Sequence, residues 1–339
     1  MAQKVGSPEA PLWARLDELQ EYRQLCRVRA EHLVRVDQPL VLVSQIQRSG
    51  GTLLSRLFDG HPEVHAHPYE LKIGPKDRWP TLDLGEPESW FATLYEEKTA
   101  AHLVAGWSKP GLKETDVDVF PFLFVPRLQK QLFDASVAEK RIERSRDVLD
   151  CYFTAYFNAW LDNQNLYTGP KRLVTAFTPR TNLDEKSVAR FFADYPDGWL
   201  VTIVREPRAW YASAVRHRAQ YEDLEAALDL WRRSALAALA GRERYGDRVV
   251  VLTYETLVAE TETTMRRLAG AFGISTAPVL LVPTFNGRPV RANSSDPVAQ
   301  YGVLAERTDA YRSVLDAATI ERIDELAGDL YERVRTDAA

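Results

Sequence analysis

The chain has 339 residues, 45% of them hydrophobic and 27% charged, and a formal net charge of -5. That is an ordinary globular composition, long enough for one large α/β domain or two modest ones. The acidic balance argues against a general polyanion binder, because nucleic-acid proteins carry an overall or clustered basic excess. No nucleic-acid partner is expected, and any anion site must be local. Two cysteines, Cys26 and Cys151, are too few for a disulfide framework and fit a reducing, cytoplasmic setting. No run approaches the roughly 18 apolar residues that span a bilayer, and Met1 to Pro11 holds no hydrophobic signal region, so neither a membrane span nor secretion is expected.

In chain order, Trp13, Leu16, Leu19, Tyr22, Leu25, Ala30 and Leu33 recur at helical steps and predict an amphipathic lead-in over residues 1–38. An α/β core over 39–280 follows. It opens with the apolar run Leu40-Val41-Leu42-Val43, a small and polar loop from Ser44 to Thr52, and a helix carrying Leu53, Leu54, Leu57 and Phe58 that stops at Gly60-His61-Pro62. Leu173 to Ala176, Leu200 to Val204 and Val249 to Leu252 read as three more buried strands. Helices are expected at Val188 to Tyr195, after Pro207, and around Met265, Leu268 and Phe272. Continuous Val/Ile/Leu strands alternating with helices predict a central parallel β-sheet flanked by helices. Between about 70 and 133 the pattern loosens into an insertion on the acceptor side. Its aromatics Trp79, Trp90, Phe91, Trp107, Phe120, Phe122 and Phe124 either line a pocket or anchor a loop, and the stripe Tyr152, Phe153, Tyr156, Phe157 and Trp160 is expected to be helix core. A loop and a helix over 281–339 close a single domain spanning 1–339, with no internal repeat.

The loop Gln45-Ile46-Gln47-Arg48-Ser49-Gly50-Gly51-Thr52 lies between a buried strand and a helix, where backbone N–H groups and the positive helix end bind phosphate. Against the nucleotide-triphosphatase pattern G-x-x-x-x-G-K-[ST], Gly50 and Thr52 fit, but Gln45 replaces the first glycine and Gly51 the lysine. A cation moved three residues earlier, to Arg48, suits a donor with one phosphate beside the transferred group. A strand ending in Val204-Arg205-Glu206-Pro207 leads to a helix with Ser213 eight residues after Arg205, a spacing that lets both donate to one dianion.

Arg48-Ser49-Gly50-Gly51-Thr52-Leu53-Leu54 resembles the 5'-phosphosulfate loop of the sulfotransferase family. Arg205-Glu206-Pro207 with Ser213 resembles that family's 3'-phosphate motif, and Tyr254-Glu255-Thr256-Leu257 its Y-E-[DT]-L segment, whose tyrosine packs near adenine. The three occur in family order between Leu40 and Ile274. The resemblance implies a P-loop-like fold and 3'-phosphoadenosine 5'-phosphosulfate as co-substrate. It implies donor contacts from Arg48, Ser49, Gly50, Gly51, Thr52, Leu53, Arg205, Ser213 and Tyr254, and from Arg291, Asn293 and Ser294 in a loop that folds over the 3'-phosphate side. Many relatives carry a lysine before a Thr-Pro or Asp-Pro pair. Here Phe177 precedes Thr178-Pro179, leaving that role absent or supplied by Lys171, Arg172 or Arg180.

Sulfuryl transfer builds negative charge on the oxygen leaving with the 5'-phosphate, so a fixed cation is the main catalytic need, and Arg48 is the candidate. The chemistry requires no metal. His61, His65 and His67 lie close together but lack a fourth zinc ligand. A hydroxyl acceptor needs a general base. Glu70 is the first choice, near where tyrosyl-protein sulfotransferases and bacterial relatives place a catalytic glutamate, with His67 or His65 second. The acceptor, a small molecule, saccharide, lipid or peptide, is not written in the sequence, nor is the oligomeric state. The competing readings are a P-loop kinase or hydrolase, against which the missing lysine counts, and a nucleotide binder without catalysis.

Overall fold

The computed structural model describes residues 12–104, 123–290, 301–304 and 309–338. Helix α1 (Leu12–Glu31) leads to β1 (Leu40–Val43), α2 (Gly51–Phe58) and β2 (Val64–Glu70). Then come α3 (Pro87–Leu94), α4 (Glu97–Val104), α5 (Pro126–Glu139) and α6 (Ser145–Ala159). Next are β3 (Leu173–Phe177), α7 (Glu185–Asp194), β4 (Trp199–Val204), α8 (Pro207–Val215), α9 (Leu224–Tyr245) and β5 (Val249–Thr253). The chain ends with α10 (Tyr254–Ala259), α11 (Thr261–Phe272), the short hairpin strands β6 (Thr284–Phe285) and β7 (Arg288–Pro289), and α12 (Ala317–Ala338).

The five main strands form one parallel sheet in the order β2-β3-β1-β4-β5. Strand β1 is central and buried on both faces, because its alternate residues feed two cores. Leu40 and Leu42 join the larger cluster, which includes α5, α6 and α9, while Val41 and Val43 meet Leu54, Leu57, Met265 and Phe272 from α2 and α11. Truncating one such leucine to alanine costs about 2–5 kcal/mol. Sequence order reverses at β1, since β2 and β3 lie on one side and β4 and β5 on the other. Ligands of open α/β sheets bind at the carboxyl ends of the strands beside such a switch point.

The expected strands and helices are present. Two local readings change. Val64–Glu70 forms an edge strand whose ladder is broken between Ala66 and Glu70, where Pro68 can donate no hydrogen bond. The insertion is not irregular throughout, because α3, α4 and the start of α5 lie within it. Its described tryptophans are anchors. Trp79 donates from Nε1 to Asp194 (2.7 Å) and meets the edge of Phe191, while Trp90 Nε1 donates to the Asp83 carbonyl (2.6 Å). Trp107, Phe120 and Phe122 lie outside the described residues.

Candidate functional site

The loop after β1 is built by neighbours on every side. Gly50 caps the start of α2 with φ 101°, a left-handed conformation that glycine adopts without strain. A Cβ on Gly50 would sit 2.5 Å from Tyr254 Cδ2, and one on Gly51 would collide with Gln45 Nε2 and the Phe177 ring. Close packing by Tyr254 and Phe177 therefore demands glycine at both positions. Thr52 and Leu53 are half-buried in the first turn of α2, with Leu53 and Tyr254 packed against the same core cluster.

Two arginines separated by 157 residues in sequence meet here. Arg205, at the end of β4, donates from Nη1 to the Arg48 carbonyl (3.1 Å) and lies 4.5 Å over the Tyr254 ring. Arg48 donates from Nε to Ser213 Oγ on α8 (3.0 Å). Burial first, and the neighbouring Arg205 cation second, lower the Arg48 pKa. Arg48 nonetheless stays charged at neutral pH. Arg205 Nε and Ser49 Oγ are buried without a hydrogen-bond partner. Six of the expected donor residues outside the glycines, Arg48, Ser49, Thr52, Arg205, Ser213 and Tyr254, are thus gathered at the switch point.

Groups other than the expected donor contacts fix this arrangement. Trp210 Nε1 donates to the Gln47 carbonyl and Trp231 Nε1 to the Arg205 carbonyl, each at 2.9 Å. The Glu255 carboxylate accepts the Glu206 N–H (3.2 Å) and the Tyr331 hydroxyl of α12 (2.7 Å). The sequence marks Glu206 and Glu255 as motif residues but none of these pairings, because they depend on which strands and helices become neighbours. Arg208 pairs with Glu206 and Asp324 and behaves as a helix-surface charge.

On the other flank, Glu70 ends β2 opposite Phe177 of β3, whose ring touches the Gly51 position. Its carboxylate lies 3.8 Å from Lys72 Nζ. Glu70 and His67 line one narrow cleft, partly open to solvent, with Tyr95, Phe124, Tyr152 and Tyr156. In that wall Gln129 Nε2 and Tyr156 Oη are buried without a partner. His67 stacks on Tyr156 at 4.5 Å, donates from Nδ1 to the Tyr69 carbonyl (2.8 Å), and is pushed down to about 4 by burial. His65 packs on Phe157 at the amino-terminal half of β2, away from the donor loop, and burial lowers it to about 3. Among the described residues no three His, Cys, Asp or Glu side chains form a group able to hold a metal ion, and no helix is long and apolar enough to cross a membrane.

Arg291, Asn293 and Ser294 lie outside the described residues. The start of their segment is pinned at the far end of α2, where buried Asp59 accepts from Thr284 Oγ1 (2.7 Å) and the Gly287 N–H (2.8 Å). Of the three basic residues near β3, Lys171 and Arg172 precede the strand and bond the Pro62 and Gly273 carbonyls. Arg180 follows it, at the carboxyl end.

The fold defines a class, parallel α/β proteins with a strand-loop-helix turn at the centre of the sheet. Within it the chain belongs to the sulfotransferase family, whose sequence profile matches residues 39–278, and its function is sulfuryl transfer. Comparison with curated protein sequences gives no significant match. Solved structures similar to it include the sulfotransferase domain of the Synechococcus PCC 7002 olefin synthase, at 18% identity and a TM-score of 0.47, covering 87% of this chain and 96% of that one. The sulfotransferase domain from the curacin biosynthetic pathway shows 14% identity and a TM-score of 0.45 over 86% of this chain and 98% of that one. Mouse sulfotransferase SULT7A1, solved complexed with PAP, shows 11% identity and a TM-score of 0.41 over 90% and 88%.

Proposed function

We propose that the chain moves a sulfuryl group from 3'-phosphoadenosine 5'-phosphosulfate to a hydroxyl or amine by in-line displacement. The observation that carries this is the pair Arg48 and Arg205, two guanidiniums drawn together by backbone and hydroxyl partners, with Arg205 Nε and Ser49 Oγ still unpartnered. Buried donors of this kind call for an anion, and the donor has two anionic ends. Arg48, Ser49, Gly50, Gly51, Thr52 and Leu53 would hold the 5' end and Arg205 and Ser213 the 3'-phosphate, with Tyr254 between. Arg291, Asn293 and Ser294 complete the reading on the 3' side.

In the reaction the acceptor oxygen attacks sulfur, the bond from sulfur to the 5'-phosphate oxygen breaks, and the bisphosphate leaves with the electron pair. Arg48 stabilises the charge on that leaving oxygen. Glu70 takes the acceptor proton. Its position at the end of β2, on the rim of a cleft and next to the strand that packs on the donor loop, supports it over His67, whose buried imidazole is a weak base. The acceptor is a nucleophilic oxygen or nitrogen of a small molecule, saccharide, lipid or peptide. Both cysteines being unpaired supports a cytoplasmic setting.

A thermal-shift series tests the donor assignment. Saturating 3'-phosphoadenosine 5'-phosphate should raise the melting temperature, since a ligand at about 100 times its Kd stabilises by about 2.7 kcal/mol. ATP and NAD should not. Equal shifts with ATP would overturn the assignment.

A further inference from the structure

Four described residues other than glycine have left-handed backbone: Arg48 (φ 70°), Asp77 (59°), Arg180 (68°) and Asn286 (52°). Asn286 precedes Gly287 in the β6–β7 turn, where that conformation is ordinary. The other three form one connected patch beside the switch point. A side chain with a Cβ is disfavoured in this region and persists there only where its surroundings hold it, which happens most often at functional sites.

Arg180 is the link. Its N–H donates to the Gln45 carbonyl (3.0 Å), its Nε to Gln47 Oε1 (2.6 Å) and its Nη2 to the Tyr221 hydroxyl (3.1 Å), while Nη1 lies 3.7 Å from Asp77 Oδ2. The Tyr221 hydroxyl donates to the same Gln47 oxygen (3.4 Å), and Trp210 holds the Gln47 carbonyl (2.9 Å). The residue before Arg48 is therefore gripped at both backbone and side chain. Arg180 touches that loop twice, at Gln45 and Gln47, and its planar fork serves Gln47, Tyr221 and Asp77 at once. An ammonium offers no such fixed geometry.

We propose that Arg180 is a positioning residue of the transfer reaction. From the loop after β3 it sets the backbone of the loop after β1, and through Gln47 the direction of Arg48, with Asp77 steadying the outer edge of the guanidinium. It acts through Gln47 and does not itself touch the donor. The inference rests on the reading of residues 45–53 as the site of the donor's 5' end.

Calorimetric titration can separate the two claims with a pair of ligands, 3'-phosphoadenosine 5'-phosphate and adenosine 3'-phosphate, which lacks the 5' group. Arg180→Gln should weaken the bisphosphate about tenfold or more and leave adenosine 3'-phosphate within about twofold. Arg180→Lys, the variant that keeps the charge and is the safer folder, should lose nearly as much on the same ligand. Asp77→Asn should move in the same direction by less. Arg205→Ala should weaken both ligands and serves as the control for the 3' side. Equal losses on both ligands in the Arg180 variants, or no loss on either, would overturn the positioning role. A wild-type protein that fails to prefer the bisphosphate would instead overturn the 5'-site reading beneath it.

Discussion

Arg146 and Arg205 lie over tyrosine rings at the shortest distances of any arginine among the described residues, and they lead opposite lives. Arg146, in the first turn of α6, lies 3.9 Å over Tyr195, and its donors are taken by Asp150 (2.6 Å), Asp197 (3.0 Å) and the carbonyls of Asp37 (2.7 Å) and Gln38 (2.9 Å). Arg205 lies 4.5 Å over Tyr254, but its Nη1 finds only a carbonyl and its buried Nε finds nothing. It forms no ion pair among the described residues. Burial and stacking alone do not distinguish a structural cation from a functional one. The satisfied donors mark the difference, because Arg146 is met by carboxylates and carbonyls at hydrogen-bond distance, whereas Arg205 has only the longer-range attraction of the Glu255 carboxylate.

The comparison is tested most severely at Arg146. Arg146→Ala leaves buried Asp150, whose pKa burial already raises, with Lys140 (2.9 Å) as its remaining cation, and leaves the Asp37 and Gln38 carbonyls without their donor, so the folded state should lose about 3 kcal/mol. Denaturant unfolding measures this, and the variant that still folds should bind 3'-phosphoadenosine 5'-phosphate as the wild type does. A loss of ligand affinity with unchanged stability would place Arg146 in the site. On the acceptor flank His67 plays the satisfied part. Burial lowers its pKa from 6.5 to about 4. The unfolded chain thus binds the proton more readily, and the stability His67 contributes is complete above about pH 6.5 and lost as pH falls toward 4. The loss is on the order of 3 kcal/mol for this group, with His65 acting in the same direction. Urea midpoints between pH 7 and 4.5 should fall less steeply for His67→Gln than for the wild type, and parallel slopes would refute the account.

The same distinction decides what the sequence could reveal. Strands β1, β3, β4 and β5 are legible because they are almost wholly buried and read as short runs dominated by Val, Leu and Ile. Strand β2 is not, because Val64–Glu70 is an edge strand of alternating histidines with a proline, and only its neighbour β3 makes it a strand. Arg205 and Tyr254 carry a local signal because each directly follows a buried strand, and Arg48 because it lies in the small polar loop before α2, whereas Ser213, late in α8, is reached only through its spacing from Arg205. Arg180 and Glu255 are singled out by the sequence but their partners are not, and Trp210, Trp231 and Tyr331 carry no such signal, since these pairings follow from the strand order β2-β3-β1-β4-β5 and from where α9 and α12 pack. The amphipathic lead-in is a helix, but it ends at Glu31 and leaves Leu25 and Val28 exposed, at 44% and 39%. Periodicity predicts a helix more safely than it predicts which face is covered.

Glu70 is the unsatisfied counterpart of His67. Its carboxylate is 36% exposed and meets Lys72 only at 3.8 Å, so it is accessible to an acceptor in the cleft. Glu70→Gln keeps shape and hydrogen bonding but removes the proposed base, and turnover of a hydroxyl acceptor should fall about a hundredfold with donor affinity unchanged. If His67→Asn were inactive and Glu70→Gln active, the roles would be exchanged.

The smallest expected effect is the one that isolates Arg205. Replacing it with alanine removes a cation the protein never paired, so the fold should lose far less than in Arg146→Ala, while the Tyr254 ring and the Arg48 carbonyl lose a neighbour that water can replace. Binding of 3'-phosphoadenosine 5'-phosphate should weaken by about 2 kcal/mol, roughly thirtyfold, the range for charge-assisted bonds to one phosphate. Adenosine 5'-phosphosulfate carries no 3'-phosphate and should bind nearly as before. The difference between the two ligands is the measurement, because any general loosening of the loop would weaken both alike. Equal losses would make Arg205 a second Arg146, a structural cation whose empty Nε has no ligand to meet.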